Sequence, residues 1–140
     1  QSGIPVIINP MDNIPNSFDE LSSSLELASI LNQAGVTIMF DSARSHNYHL
    51  MRQGAGNAVA YGMKYEDAIS GMSKIVADVF GIKNRGSLVK GNFADVVIWE
   101  SDPLEPASMP LYVIVEGEQM DLITRSSRLK DRYINKLIKN

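Results

Sequence analysis

The segment Asp41-Ser42-Ala43-Arg44-Ser45-His46-Asn47-Tyr48-His49 gathers both histidines of the chain, a carboxylate, an arginine and two serine hydroxyls within nine residues. It follows the apolar run Val36 to Phe40, which has the composition of a buried strand. In α/β structures, functional side chains collect where strands end and loops begin. A carboxylate at such an end can ligate a divalent cation and take a proton from bound water. A histidine there can orient or polarise a substrate oxygen. The same residues have a structural reading: Asp41-Ser42 caps the loop, and His46-Asn47 fixes the start of the next helix. A second polar strand end, Asn9-Pro10-Met11-Asp12-Asn13, reads as turn-forming.

Other chemistries find little support. There is no His-x-His and no His-Glu-x-x-His, and two histidines three apart without a thiolate do not make a closed zinc site. No dinucleotide fingerprint, P-loop or Gly-x-Ser-x-Gly elbow is present.

The elements that must position Asp41 follow from periodicity. Ile4 to Ile8 and Val36 to Phe40 read as short buried strands of the parallel type. Between them, Ser17-x-x-Glu20 has the capping-box pattern. Phe18, Leu21, Leu25, Ala28 and Leu31 continue at helical spacing up to a C-terminal Gly35. Tyr48 to Tyr61 reads as a helix rich in small residues. Its two interior glycines, Gly54 and Gly56, each cost about 1 kcal/mol relative to alanine, so close packing on a neighbour is expected to compensate. One long helix is expected over Tyr65 to Phe80. Gly86 to Leu104 reads as strand, Gly91-Asn92 turn, strand over Val96 to Trp99, and a stop at Asp102-Pro103. A strand over Leu111 to Glu116, a turn at Gly117-Glu118, a short strand near Met120 to Ile123 and a helix capped by Ser126 or Ser127 complete the order. Leu129, Tyr133, Ile134 and Leu137 are expected to face inward from that last helix.

The 140 residues (15.4 kDa, 44% hydrophobic, 21% charged) suit one globular domain that buries about two-thirds of its unfolded surface. No apolar run of about 18 residues suggests a membrane-spanning helix. Cysteine is absent, which excludes disulfides and leaves the compartment open. The N-terminus shows no signal peptide, although export of a longer chain stays open. Net charge is −3, against nucleic acid as a partner. The charge is uneven: from Thr124 onward six basic residues face Asp131 alone, giving +5, so the remainder carries −8. This basic tail reads as the wet face of a terminal helix.

The ordered series of motifs resembles the C-terminal end of amidohydrolase-superfamily enzymes, specifically bacterial imidazolonepropionase-like ones. Gly86-Ser-Leu, Gly91-Asn-Phe-Ala-Asp95 and the hydrophobic run before Asp102-Pro-Leu carry the resemblance most clearly. Asn9-Pro-Met-Asp-Asn13, Ser45-His-Asn47, Arg52-Gln-Gly-Ala-Gly-Asn57 and Val115-Glu-Gly-Glu118 extend it over almost the whole chain. The resemblance implies a (β/α)8 barrel with a mono- or dinuclear metal centre that hydrolyses C–N bonds in amides, cyclic amides or dipeptides. Of the ligands so implied, only an aspartate after the eighth strand falls here. Asp41 is its candidate, though Phe40-Asp41-Ser42 departs from the usual Ser/Thr-Asp.

The expected fold is therefore α/β. Residues 1–85 would form the last β/α units of a (β/α)8 barrel, 86–124 the C-terminal strands of a β-sandwich, and 125–140 a terminal helix. By resemblance, Asp41 is metal ligand and general base, and Ser45, His46 and Asn47 line the substrate side. A divalent metal, zinc by preference, belongs to the full-length enzyme, and none is expected on this chain alone. The expected partners are a small-molecule substrate and a second copy paired through exposed strand edges, with no nucleic acid and no membrane. The isolated chain is expected to be inactive. The alternative is a non-catalytic interaction or scaffold module derived from such a tail, and a third reading is an anion-binding domain using the basic end.

Overall fold

The computed structural model describes residues 3–42 and 49–138. Two short strands, β1 (Val6–Ile8) and β2 (Ile38–Phe40), pair in parallel with Val6 opposite Ile38 and Ile8 opposite Phe40. The connection runs through a 3-10 turn at Pro10–Asp12, another at Phe18–Glu20, and helix α1 (Leu27–Gln33). Helices α2 (Leu50–Ala60), α3 (Tyr65–Gly71) and α4 (Lys74–Val79) follow. A second sheet is antiparallel, in the order β3 (Val96–Trp99), β4 (Pro110–Val115), β5 (Glu118–Gln119), and α5 (Arg125–Ile138) ends the described chain. The architecture is mixed α/β, and among the described residues no helix is long and apolar enough to cross a membrane.

The core is built largely from alanines. Ala28, Ala55, Ala58 and Ala68 pack with Ile38, Phe40, Met63 and Leu104. Small side chains let backbones approach closely, and α2 shows how closely. A Cβ on Gly54 would lie 3.3 Å from Pro10 Cδ, and one on Gly56 would lie 2.9 Å from the Leu104 carbonyl oxygen. The helix-weakening glycines are therefore what allow α2 to sit against the turn after β1 on one side and the 102–108 loop on the other. Arg52 strengthens the second junction. Its guanidinium donates to the Pro103 carbonyl at 2.8 Å, reaches the Ser108 carbonyl at 3.4 Å, and lies 4.2 Å from the centre of the Trp99 ring.

Several expectations are corrected. The helix foreseen from Ser17 begins only at Leu27. Neither bond of the capping box forms: Glu20 accepts the Asn16 amide at 3.0 Å instead of the Ser17 amide, and Ser17 makes no side-chain cap. Ser22-Ser23-Ser24 then diverts the backbone, with the Ser24 hydroxyl accepting the Glu26 amide at 3.1 Å. The single helix over Tyr65 to Phe80 is two, broken at Met72-Ser73. There the Ser73 hydroxyl bonds back to the Ile69 carbonyl at 2.8 Å, and Gly71 is wedged under β2, where a Cβ would lie 2.9 Å from the Ile38 carbonyl oxygen. Gly86 fits against this break with φ +83°, a conformation that suits glycine.

The strand expected before Gly91-Asn92 does not form. That turn is present, with Gly91 at φ +100° and Asn92 donating to the Ser87 carbonyl at 3.0 Å, but residues 87–89 have no strand partner among the described residues. The hairpin after β4 turns at Glu116-Gly117, one residue earlier than expected, and β5 is correspondingly at Glu118–Gln119 instead of Met120 to Ile123. Helix α5 is capped by Thr124, whose hydroxyl accepts the Ser127 amide at 3.1 Å. Its expected inward face is not buried: Leu129, Tyr133, Ile134 and Leu137 are all exposed.

The accessible surface is 10256 Å². A monomer of this mass that covers its own core exposes about 7,200 Å². The surplus of about 3,000 Å² includes large apolar side chains left in solvent, among them Phe18, Leu88 and Leu137.

Arg85 ties the second sheet to the loop before it. Its guanidinium bonds the carboxylates of Asp95 and Glu116 and lies 4.4 Å from the Phe93 ring centre. The Glu116 amide donates to Asp95 at 2.8 Å; this bond first, and Arg85 second, hold the Asp95 carboxyl below the usual carboxylate range. The folded state therefore binds the Asp95 proton less readily than the unfolded chain. Its stabilising contribution is complete above the unfolded value of about 3.9 and is lost as pH falls through the lower folded value. Urea midpoints measured from pH 6 to pH 2.5 are expected to fall below about pH 4, with a smaller fall in Asp95→Asn. For Gly56→Ala, the gain in helix propensity of about 1 kcal/mol is expected to be outweighed by overpacking against Leu104 of about 1–3 kcal/mol. A lowered urea midpoint is the expected reading, and an unchanged or raised one would mean that α2 is free to shift.

Candidate functional site

Parallel pairing brings the C-terminal ends of β1 and β2 side by side. The Asp41 amide donates to the Ile8 carbonyl at 2.9 Å, so Asn9 and Asp41 leave the sheet together at the same end. Apolar strands fix this end because Ile38, Met39 and Phe40 are all buried. The next side chain, Asp41, emerges exposed. Its Oδ1 accepts the Ser42 amide at 2.7 Å, which orients the carboxylate at the strand end.

Asn9 organises the neighbouring loop. Its Oδ1 accepts the Met11 amide at 3.2 Å, and its Nδ2 donates to Asp12 at 2.7 Å. Pro10 occupies the first helical position of the 3-10 turn, is buried, and backs onto Gly54 of α2. Asn13 reaches across to the Ser24 carbonyl. A cleft of about 260 Å³ lies between this turn and the start of α1. Its apolar walls are Ile8, Pro10, Leu25, Leu27 and Ala28, and its polar lining is Asn9, Asp12 and Asn13. The Asp12 side chain bonds within the turn, as its expected role requires, whereas Asn13 bridges to Ser24 eleven residues on; both also line the cleft. The readable signal was Asn-Pro at a strand end, an N-cap followed by a proline at N1.

Of the sequence-derived site residues, Asp41 is where the strand pattern put it. Ser45, His46 and Asn47 lie outside the described residues. His49 sits immediately before α2, at its N-cap position. Asp41 does not line the 260 Å³ cleft, although both belong to the same end of the parallel pair.

A second cleft, about 350 Å³, is lined by Gln53, Asn57, Tyr65, Asp102 and Glu105 among others. Burial first, then the hydrogen bond to Asp102, pushes the Tyr65 phenol above its ordinary value. The phenol stays protonated and donates to Asp102 at 3.0 Å, while the same Asp102 oxygen accepts the Leu104 amide at 2.8 Å. This is a latch at the end of β3, in keeping with the strand-end role read for Asp102.

The donor set limits what can be bound. Among the described residues, no group of three or more His, Cys, Asp or Glu is placed to hold a metal ion. Asp41 offers one hard oxygen donor of the kind divalent cations take, and among the described residues no set of three such groups surrounds it.

The sequence model of the amidohydrolase family matches residues 2–120. The chain belongs to the amidohydrolase family. This amidohydrolase chain is 34% identical over 64 residues to amidohydrolase tasK of Hapsidospora irregularis, covering 45% of this chain and 6% of that protein. Its fold matches the crystal structure of an amidohydrolase from Thermotoga maritima MSB8 with a TM-score of 0.71 at 25% identity. That match covers 85% of this chain and 32% of the other. The chain thus spans about a third of the solved relative and a small fraction of the curated one.

Proposed function

We propose that this chain is the C-terminal part of an imidazolonepropionase-like, metal-dependent amidohydrolase that hydrolyses amide, cyclic amide or dipeptide C–N bonds. In this reading β1, β2 and their helices are the last β/α units of the barrel, and β3 to β5 belong to the accompanying β-sandwich. The observation that carries it is the exposed Asp41 carboxylate at the C-terminal end of a buried parallel strand, in a chain whose family membership is established by residues 2–120. Such strand ends are where barrel enzymes place their chemistry.

The roles of this chain's residues follow from their positions. Asp41 contributes one oxygen ligand and takes up a proton at its carboxylate during attack on the scissile carbonyl. The Ser42 amide on Oδ1 fixes that carboxylate's orientation. The cleft beside β1 binds part of the substrate, with the apolar walls taking its hydrocarbon and the acceptors of Asp12 and Asn13 taking its N–H groups. Ser45, His46 and Asn47 follow Asp41 closely in sequence and are assigned to the substrate side of the same mouth. When bound, a divalent ion, zinc in this reading, lowers the pKa of water to near neutrality and so supplies the nucleophile. In this reading the remaining ligands come from outside the described residues, and these 140 residues alone are expected to be inactive.

The test uses a full-length enzyme containing this chain. Asp41→Asn is expected to lower kcat/KM by about 10²–10⁴-fold, together with reduced metal content by elemental analysis and an unchanged circular dichroism spectrum. Activity equal to the unmodified enzyme would remove Asp41 from the mechanism.

A further inference from the structure

Two consecutive residues of the turn after β1 are held by one face of α2. Gly54 and Asn57 are three positions apart on that helix and so lie one above the other. Pro10 rests on Gly54, where a Cβ would lie 3.3 Å from Pro10 Cδ and 4.0 Å from Met11 Cγ. Asn57 takes the next residue: its Nδ2 donates to Met11 Sδ at 2.8 Å. Asn57 and Met11 are both half-buried, and both belong to this chain, so the contact is complete without any further part of the enzyme.

The chemistry of the pair is informative. A thioether is a weak acceptor, and an aliphatic side chain at position 57 would cover it equally well. What the amide adds is direction. Methionine is unbranched and turns freely about its side-chain bonds, whereas a hydrogen bond from a helix-mounted amide selects one of its shapes. The other end of Met11 is fixed as well, because its backbone amide donates to Asn9 Oδ1 at 3.2 Å. Met11 is therefore a strut between α2 and Asn9. Asn9 in turn donates to the Asp12 carboxylate at 2.7 Å, and Asn9 and Asp12 are polar lining of the 260 Å³ cleft.

We propose that Asn57 is a positioning residue, which sets the Asn9–Asp12 wall of the strand-end cleft through the Met11 thioether and so governs how tightly substrate is held there. Asn57 does not itself line that cleft. The inference rests on the reading of this cleft as a substrate site, and it is separate from the role of Asp41, which leaves the neighbouring strand and does not line the cleft. A loosened wall weakens the hold on ground state and transition state alike, so KM rises while kcat stays.

The test uses the full-length enzyme and the substrate that serves for Asp41→Asn. Asn57→Asp keeps the side-chain shape and loses the donor, and Asn57→Leu puts a hydrocarbon of similar size in its place. Each is expected to raise KM about 10-fold, within what a slight misplacement costs, with kcat, metal content and circular dichroism spectrum unchanged. Met11→Leu is expected to do the same. Asn57→Leu combined with Met11→Leu is expected to raise KM about 10-fold again instead of about 100-fold, because all of these changes remove one contact. By NMR of isotope-labelled methionine methyl groups, Asn57→Asp is expected to move the Met11 signal, assigned by its loss in Met11→Leu, to the position of a freely turning methionine. An unchanged KM in Asn57→Asp would overturn the proposal. So would effects at Asn57 and Met11 that multiply, a Met11 signal that stays in place, or a fall in kcat with loss of metal, which would mark a general role in the fold. Full activity in Asp41→Asn beside these KM effects would remove Asp41 from the mechanism and support the role of Asn57.

Discussion

The close approach of α2 to its neighbours is the constraint on which the rest of the structure depends. Gly54 lets the helix rest on Pro10 and thereby sets the turn that follows β1. Gly56 lets the same helix rest on the Leu104 carbonyl, and Arg52 binds the carbonyls of Pro103 and Ser108 one turn away. One helix therefore registers the parallel strands against the loop that delivers β4. A larger residue at either glycine would push these backbones apart, because the contacting atoms are a proline ring and a main-chain oxygen. The alanine-rich core has the same logic: Ala55 and Ala58 of α2 are completely buried, and they hold elements close without filling much volume.

That economy of volume has a consequence for function. Among the described residues two strands define the candidate site, and their shared end presents the Asp41 carboxylate beside a cleft that Asp12 lines. On the proposed reading this end is one contributor to a catalytic mouth whose further walls and ligands lie outside the described residues. The surplus surface agrees with this. Open edges at β1 and β2 and the exposed sheet face leave apolar area that a self-contained domain of this size would cover. Family membership and the spanned third of the solved relative give the same picture from a separate direction.

Much of this was legible in the sequence, for physical reasons that differ by element. The strands β1 to β4 are β-branched, apolar and bounded by Pro, Gly or Asp, and composition alone reads them. The glycines of α2 announced close packing because their helix penalty had to be offset. What failed depended on competition. Ser17 and Glu20 carry the box pattern, but Glu20 takes the Asn16 amide and the serines that follow offer the backbone other partners, so the helix starts late. Periodicity over Tyr65 to Phe80 is continuous, and nothing in it reveals that Gly71 must slip under β2 and break the helix. The apolar stripe of α5 was read as inward-facing because amphipathicity reports that a face needs cover, not which body supplies it. The position of Asp41 at the end of β2 was readable from its place after an apolar run. The segment Asn9 to Asn13 was read as a turn-forming strand end, and nothing in that reading singled out Asn9 as the residue that organises the loop.

The coupling of both halves through α2 is open to a direct measurement. Trp99 is the single tryptophan of the chain, lies in β3 and stacks on Arg52, so its fluorescence reports the antiparallel sheet at its junction with α2. Circular dichroism at 222 nm reports the helices. Urea unfolding followed by both signals is predicted to give coincident transitions, with the same midpoint and slope. Two separated transitions, with the fluorescence change preceding or following the loss of helix, would contradict the account.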